Sequence, residues 1–171
     1  MMQNNMNQTA TTQTTTATAL KQNPFFREMT QTIGDWARKR REYERRREQI
    51  IAADGWDSDE LKALQEEEEQ MTFPITAGAG KAHRAWKSTE GDEVEMNDFL
   101  WEREVPDFID TLRKADITTF VYTNQSTAVM ENIHQFVAAG CTLEGPCTIT
   151  KVTDRWGEDA EETFLGLRFR V

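Results

Sequence analysis

Long apolar runs are missing from this chain of 171 residues. No segment approaches the roughly 18–20 consecutive apolar residues that a helix needs to cross a bilayer, so no membrane partner is expected. The N-terminal stretch has no basic region and no apolar run before a small-residue cleavage site, so it does not read as a secretory signal. Cysteine is scarce: Cys141 and Cys147 make no disulfide framework. The two histidines, His83 and His134, lie far apart in sequence. His134 with the two cysteines makes a poor tetrahedral set, because zinc sites use closer pairs and four ligands. A Cys–His nucleophile pair would lack an orienting third group. These absences point to a cytoplasmic protein that is not an enzyme and that carries no metal and no cofactor.

A phosphate-binding loop is excluded on similar grounds. Gly78-Ala79-Gly80-Lys81 resembles its end, but Ile75 stands where the first glycine is needed and Ala82 where a hydroxyl is needed. A flexible connector is the better reading of this stretch.

What is present is a substantial aromatic payload, five tryptophans and nine phenylalanines, enough for a real core. The first 22 residues are almost entirely Gln, Asn, Thr, Ala and Met. Such a stretch has too little apolar surface to offset the entropy of ordering it, so residues 1–22 are expected to be a disordered tail. The formal charge of −10 is unevenly spread. Residues 21–50 hold nine basic and five acidic side chains, and the remainder of the chain is strongly acidic.

Asn23-Pro24 reads as a helix cap followed by the first helical position. Phe26, Met29, Ile33, Trp36, Arg40, Tyr43, Arg47 and Ile50 then follow a 3-4-3-4 spacing, which places them on one seam of a long helix. Gly34 weakens that helix by roughly 1 kcal/mol against alanine. Asp54-Gly55 closes it, and Asp57 or Ser58 caps a second helix with Leu61, Leu64 and Met71 on its inner side. The acidic run Glu66-Glu67-Glu68-Glu69 then lies antiparallel to the basic runs around Arg40 and Arg46. A charged helical hairpin is expected over residues 23–71, and a connector over 72–95.

From residue 96 a small α+β domain is expected. Asn97 or Asp98 caps a helix bearing Phe99, Leu100, Val105, Phe108, Ile109 and Leu112, with Pro106 forcing a kink or a junction near Glu104. Residues 117–122 have strand composition. The helix after them carries Val129, Met130, Ile133, Phe136 and Val137 on one face and ends at Gly140. Strands follow over 141–152 and 163–171, the first broken by Gly145-Pro146 as a bulge or edge, with a hairpin loop over 154–161. The predicted fold class is α+β, an N-terminal helical hairpin followed by a helix-strand-helix-strand-strand sandwich.

Two places carry candidate binding residues. Seven of the ten residues from Arg38 to Arg47 are basic, with Tyr43 among them. Arg40, Arg41, Arg45 and Arg47 are candidate charge anchors, Trp36 and Tyr43 candidate aromatic contacts. Glu66, Glu67, Glu68 and Glu69 offer an acidic counterpart that would imitate phosphates. The loop Asn124, Gln125, Ser126 sits where a strand meets a helix N-terminus, a place that can bind an anion; helix capping by Asn124 or Ser126 is the favoured reading there.

The wording Asp98-Phe99-Leu100-Trp101-Glu102-Arg103-Glu104-Val105-Pro106-Asp107-Phe108, then Tyr122 to His134, then Gly140-Cys141, resembles a group of uncharacterised accessory proteins of phages and conjugative elements of gut bacteria. The resemblance spans about residues 95–152 and carries no site residues. It implies a mobile-element context, in which small acidic proteins include inhibitors of host defence nucleases such as anti-CRISPR proteins. The expected function is therefore a non-enzymatic binding or inhibitory protein acting on a host protein or nucleoprotein. Direct DNA or RNA binding by residues 38–47 is the alternative, and the long seam permits a homodimer of hairpins.

Overall fold

A computed structural model describes residues 19–155 and 158–171. The chain is an α+β protein that divides into two compact units, residues 28–75 and residues 76–171 together with the segment up to Arg27.

The first unit is a helical hairpin. Helix α1 spans Pro24–Asp54 and helix α2 spans Asp59–Glu69. Asn23 caps α1 as expected, its Oδ1 accepting from the Phe26 N–H at 3.2 Å. Gly55, at φ 82°, takes the left-handed turn that ends the helix. Ser58 caps α2, accepting from the Leu61 N–H at 3.3 Å. Leu61 and Leu64 bury against Ile50, with Tyr43 and Ile51 packed beside them. This small core is the hydrophobic link between the arms. Of the expected seam, Arg40 lies exposed and sets its guanidinium over the Trp36 ring, 5.3 Å from the centroid.

The second unit is a four-stranded sheet in the order β1-β2-β4-β3, with β1 Val94–Met96, β2 Thr119–Tyr122, β3 Thr142–Arg155 and β4 Glu158–Arg170. β1 runs parallel to β2, and β4 is antiparallel to both β2 and β3. Three α-helices accompany the sheet: α3 Ala77–Ser88, α4 Val105–Lys114 and α5 Val129–Ala138. Phe108 of α4 and Phe136 of α5 cover one face, meeting Phe120, Tyr122 and Phe169. Phe136 stands edge-on to Phe120 and Tyr122, each at 5.2 Å, and Phe120 stacks on Phe169 at 5.3 Å. All five rings are buried, and they form the centre of the core.

Residues 72–95 are not a connector: they hold α3 and the first residues of β1. Gly78-Ala79-Gly80-Lys81 is the opening of α3, not a flexible loop. A Cβ on Gly78 would stand 2.1 Å from the Glu104 carbonyl, so glycine is what lets α3 approach the start of α4. Of the expected tail, residues 1–18 lie outside the described residues, but residues 19–22 pack onto α3. The Leu20 carbonyl accepts from Trp86 Nε1 at 2.7 Å, Lys21 Nζ donates to the Lys87 carbonyl at 2.9 Å, and Phe26 stacks on Trp86 at 5.0 Å.

Residues 97–101 are not helical. A 3-10 turn, Glu102–Glu104, meets α4 at Val105, so the expected junction near Glu104 is present and the kink is not; Pro106 sits in the first turn of α4 and initiates it. In α5 the buried residues are Phe136 and Asn132, while Met130 and Val137 face solvent. The stretch 142–155 is one strand with a register shift between Leu143 and Gly145, so the expected bulge is present. The loop expected over 154–161 is shorter: Arg155 pairs with Glu158, and the intervening residues 156–157 lie outside the described residues.

Candidate interaction surface

The basic run of α1 and the acidic run of α2 meet along one seam. Arg47 pairs with Glu68, Arg46 approaches Glu67 at 3.5 Å, and the Tyr43 hydroxyl donates to Glu67 at 3.4 Å. The expected antiparallel pairing of opposite charges is thus in place at two of the arginines. Tyr43 also carries Lys39 and Arg46 over its ring, at 6.0 and 5.5 Å. Exposed pairs of this kind each contribute about 0–1 kcal/mol and fix register more than stability.

The remaining charges of the run are turned outward. Arg40, Arg41 and Arg45 are exposed and make no ion pair among the described residues; Arg38 pairs with Asp35 of its own helix. Arg38, Arg41 and Arg45 recur at three- and four-residue intervals, so they share a helix face. Glu42 and Glu48 stand beside them, which interleaves negative charge with positive. Glu66 and Glu69 are likewise exposed without an ion pair among the described residues. Between the arms a groove of about 410 Å³ is lined by Trp36, Lys39, Tyr43, Glu67, Gln70, Met71 and Thr72. Trp36 packs edge-on against Phe73 at 4.8 Å, and its indole N–H is buried without a hydrogen-bond partner. At the hairpin turn Trp56 is 76 % exposed.

The loop Asn124, Gln125, Ser126 does not cap α5. Asn124 Oδ1 accepts from the Ser126 N–H at 2.7 Å, an Asx turn, and its Nδ2 donates to the Asn97 carbonyl at 3.0 Å. Helix α5 begins only at Val129, after Ala128, with no side-chain cap. Asn124 therefore ties the end of β2 to the end of β1, and Gln125 and Ser126 are exposed.

Polar groups that the sequence reading missed are concentrated under and beside the sheet. On the face away from α4 and α5, a cleft of about 490 Å³ is bordered by residues 89–93 and by β3. Its floor carries two ion pairs, Lys151–Glu95 at 2.6 Å and Arg168–Glu93 at 2.6 Å. Thr123 donates to Glu95 at 3.0 Å and Thr119 to Glu93 at 2.8 Å. Glu95 is flanked by Val94 and Met96, and that three-residue alternation is the one sequence signal that marks it.

A second polar cluster joins α3 to α4. Lys81 Nζ lies 2.8 Å from Glu104, which also accepts from the Trp101 N–H at 2.9 Å. Burial pushes the Glu104 carboxyl up, but the bonds from Lys81 and Trp101 and the charges of Lys81 and Arg103 outweigh it and hold it below its ordinary value. On the adjoining turn of α3, burial pushes the His83 imidazole down, and Lys87 and Arg84 add to the effect. Burial pushes both thiols up, Cys141 and Cys147, and so favours their protonated, weakly nucleophilic form. Among the described residues no group of three or more His, Cys, Asp or Glu side chains is arranged to hold a metal ion. No helix among them is long and apolar enough to cross a membrane.

A family model described as a domain of unknown function, DUF7698, matches residues 79–171. No curated protein and no solved structure matches the chain. The matched stretch begins in α3 and runs through β4, and the hairpin precedes it.

Proposed function

The chain belongs to the DUF7698 family, whose function is not assigned, and we propose that it is a non-enzymatic binding protein that docks on a host protein or nucleoprotein in the cytoplasm. The observation that carries this reading is the incomplete neutralisation of α1. The acidic arm satisfies Arg46 and Arg47 and leaves Arg40, Arg41 and Arg45 exposed without an ion pair among the described residues. Arg40 lies over the half-buried Trp36 ring while Arg41 and Arg45 face outward, and exposed arginine of this kind is enriched at interfaces. The interleaved Glu42 and Glu48 favour a partner with patterned charge over a uniform polyanion. Occupying a partner's working surface in this way would inhibit it, as the mobile-element resemblance implies.

The test is affinity capture from a bacterial host lysate, with and without nuclease, using the wild type and the R41E/R45E variant. A protein retained after nuclease and lost on charge reversal supports the reading. Undiminished capture by R41E/R45E overturns it. Loss of every partner on nuclease treatment would instead favour direct nucleic-acid binding, for which the shared face of Arg38, Arg41 and Arg45 is the supporting observation. Such binding should weaken steeply as salt rises.

A further inference from the structure

Besides the side of β4 over residues 158–166, which β2 does not reach because it pairs with β4 only over 167–170, the sheet has two edges, and they are treated differently. At the β1 edge, the Glu95 N–H donates to the Thr89 hydroxyl at 2.8 Å, so the edge is covered from within the chain. The other edge is β3, and among the described residues no strand pairs with its outer side. Its beginning is blunted by the register shift before Gly145 and by Pro146, devices that discourage strand addition. Residues 147–153 have neither device. They run in unbroken register with β4 and are dominated by β-branched side chains, Thr148, Ile149, Thr150, Val152 and Thr153. Their row of outward N–H and C=O groups is complementary to another strand.

We infer that this edge pairs with the same edge of a second copy, antiparallel about a two-fold axis at Thr150, to join the two β3–β4 ribbons side by side. Three observations select a second copy. The uninterrupted register runs from Gly145 to Arg155, so overlap is greatest with Thr150 on the axis. In that register Thr148 faces Val152 of the copy, and Ile149 faces its Lys151. Lys151, the one charge within 147–153, is already paired with Glu95 of its own chain, so no like charges meet. The pairing also covers exposed apolar surface. Val152, 57 % exposed, comes beside Thr148 of the copy, whose neighbour on β4 is Leu165, 71 % exposed. A two-fold pairing closes on itself and leaves no further bare edge at β3. This interface is separate from the hairpin and from the hairpin dimer that the sequence permits.

The experiment is sedimentation equilibrium of the full chain at physiological salt, with T150K, T150E and their equimolar mixture. Thr150 is exposed, so both substitutions leave the fold in place, and circular dichroism checks this. The wild type is expected at twice its 19.8 kDa. Each variant alone is expected as a monomer, because like charges meet on the axis. The mixture is expected to dimerise again, because lysine then faces glutamate. A monomeric wild type overturns the inference. So does a T150K or T150E variant that remains dimeric, or a mixture that stays monomeric.

Discussion

Asn132 sits on α5 with no exposed surface and uses all of its side chain. Its Oδ1 accepts from the Leu100 N–H at 3.2 Å and from the Tyr122 hydroxyl at 2.6 Å. Its Nδ2 donates to the Leu100 carbonyl at 2.6 Å and to Gln135 at 3.1 Å. The amide thereby fastens the non-helical stretch before the 3-10 turn to α5 and to the central strand β2. Substituting Asn132→Leu keeps the volume and removes every bond, leaving no room for a replacement water. Three buried groups lose their partner: the Leu100 N–H, the Leu100 C=O and the Tyr122 hydroxyl. At about 1–3 kcal/mol for each, discounted for local relaxation, the expected loss is about 3–5 kcal/mol. That is a large part of the 5–15 kcal/mol typical of a whole domain. Urea unfolding followed by near-ultraviolet circular dichroism measures it. The double variant N132L/Y122F should recover about 1–2 kcal/mol of that loss, because the orphaned hydroxyl is gone. A cost below about 1 kcal/mol for N132L, or strict additivity with Y122F, would refute this account of the network.

The two glycines of α3 should behave oppositely. Gly78→Ala drives a Cβ into the Glu104 carbonyl and should destabilise by about 1–3 kcal/mol, whereas Gly80→Ala meets nothing nearer than 3.8 Å and should gain up to about 1 kcal/mol of helix propensity, both read from urea midpoints. Lys81→Met strands the buried Glu104 carboxylate and should cost about 3–5 kcal/mol; adding Glu104→Gln should return part of it, and equal stability of the single and double variants would count against a charge-driven effect. His83 has a folded-state value below its unfolded one, so the unfolded chain takes up the proton first. Its contribution is therefore fully present above about pH 6.5 and is lost as the pH falls below it toward the depressed folded value. Thermal melts between pH 7 and 5 should show that loss, with a shallower slope in His83→Leu; an unchanged slope would remove His83 as its cause.

Much of the outline was legible because its signals are local. Asn23-Pro24, Gly55, Ser58 and Gly140 mark helix ends through their own backbone preferences and short hydrogen bonds. Gly145-Pro146 marks the irregularity of β3 for the same reason. The opposed charge runs gave away the hairpin and the meeting of Arg46 and Arg47 with Glu67 and Glu68. The failures share one cause. Ala77–Ser88 looks like a linker because its small residues have little apolar surface of their own. It is a packed helix because those residues permit close approach, and because Trp86 finds Phe26 and Leu20 sixty or more residues away.

The sequence by itself determined several element ends, at Asn23-Pro24, Gly55, Ser58 and Gly140, the α+β class, and the charge contrast between the hairpin arms. These depend on neighbouring residues, whose influence acts within a turn or two. Only the tertiary structure decided which arginines are neutralised and which remain exposed. It alone decided that Met130 and Val137 face solvent while Asn132 is buried, and that β4 slots between β2 and β3 to leave β3 at the edge. Those outcomes depend on which distant surfaces meet. A helical or strand periodicity names a face, but the contacts across space decide whether that face meets a partner or water.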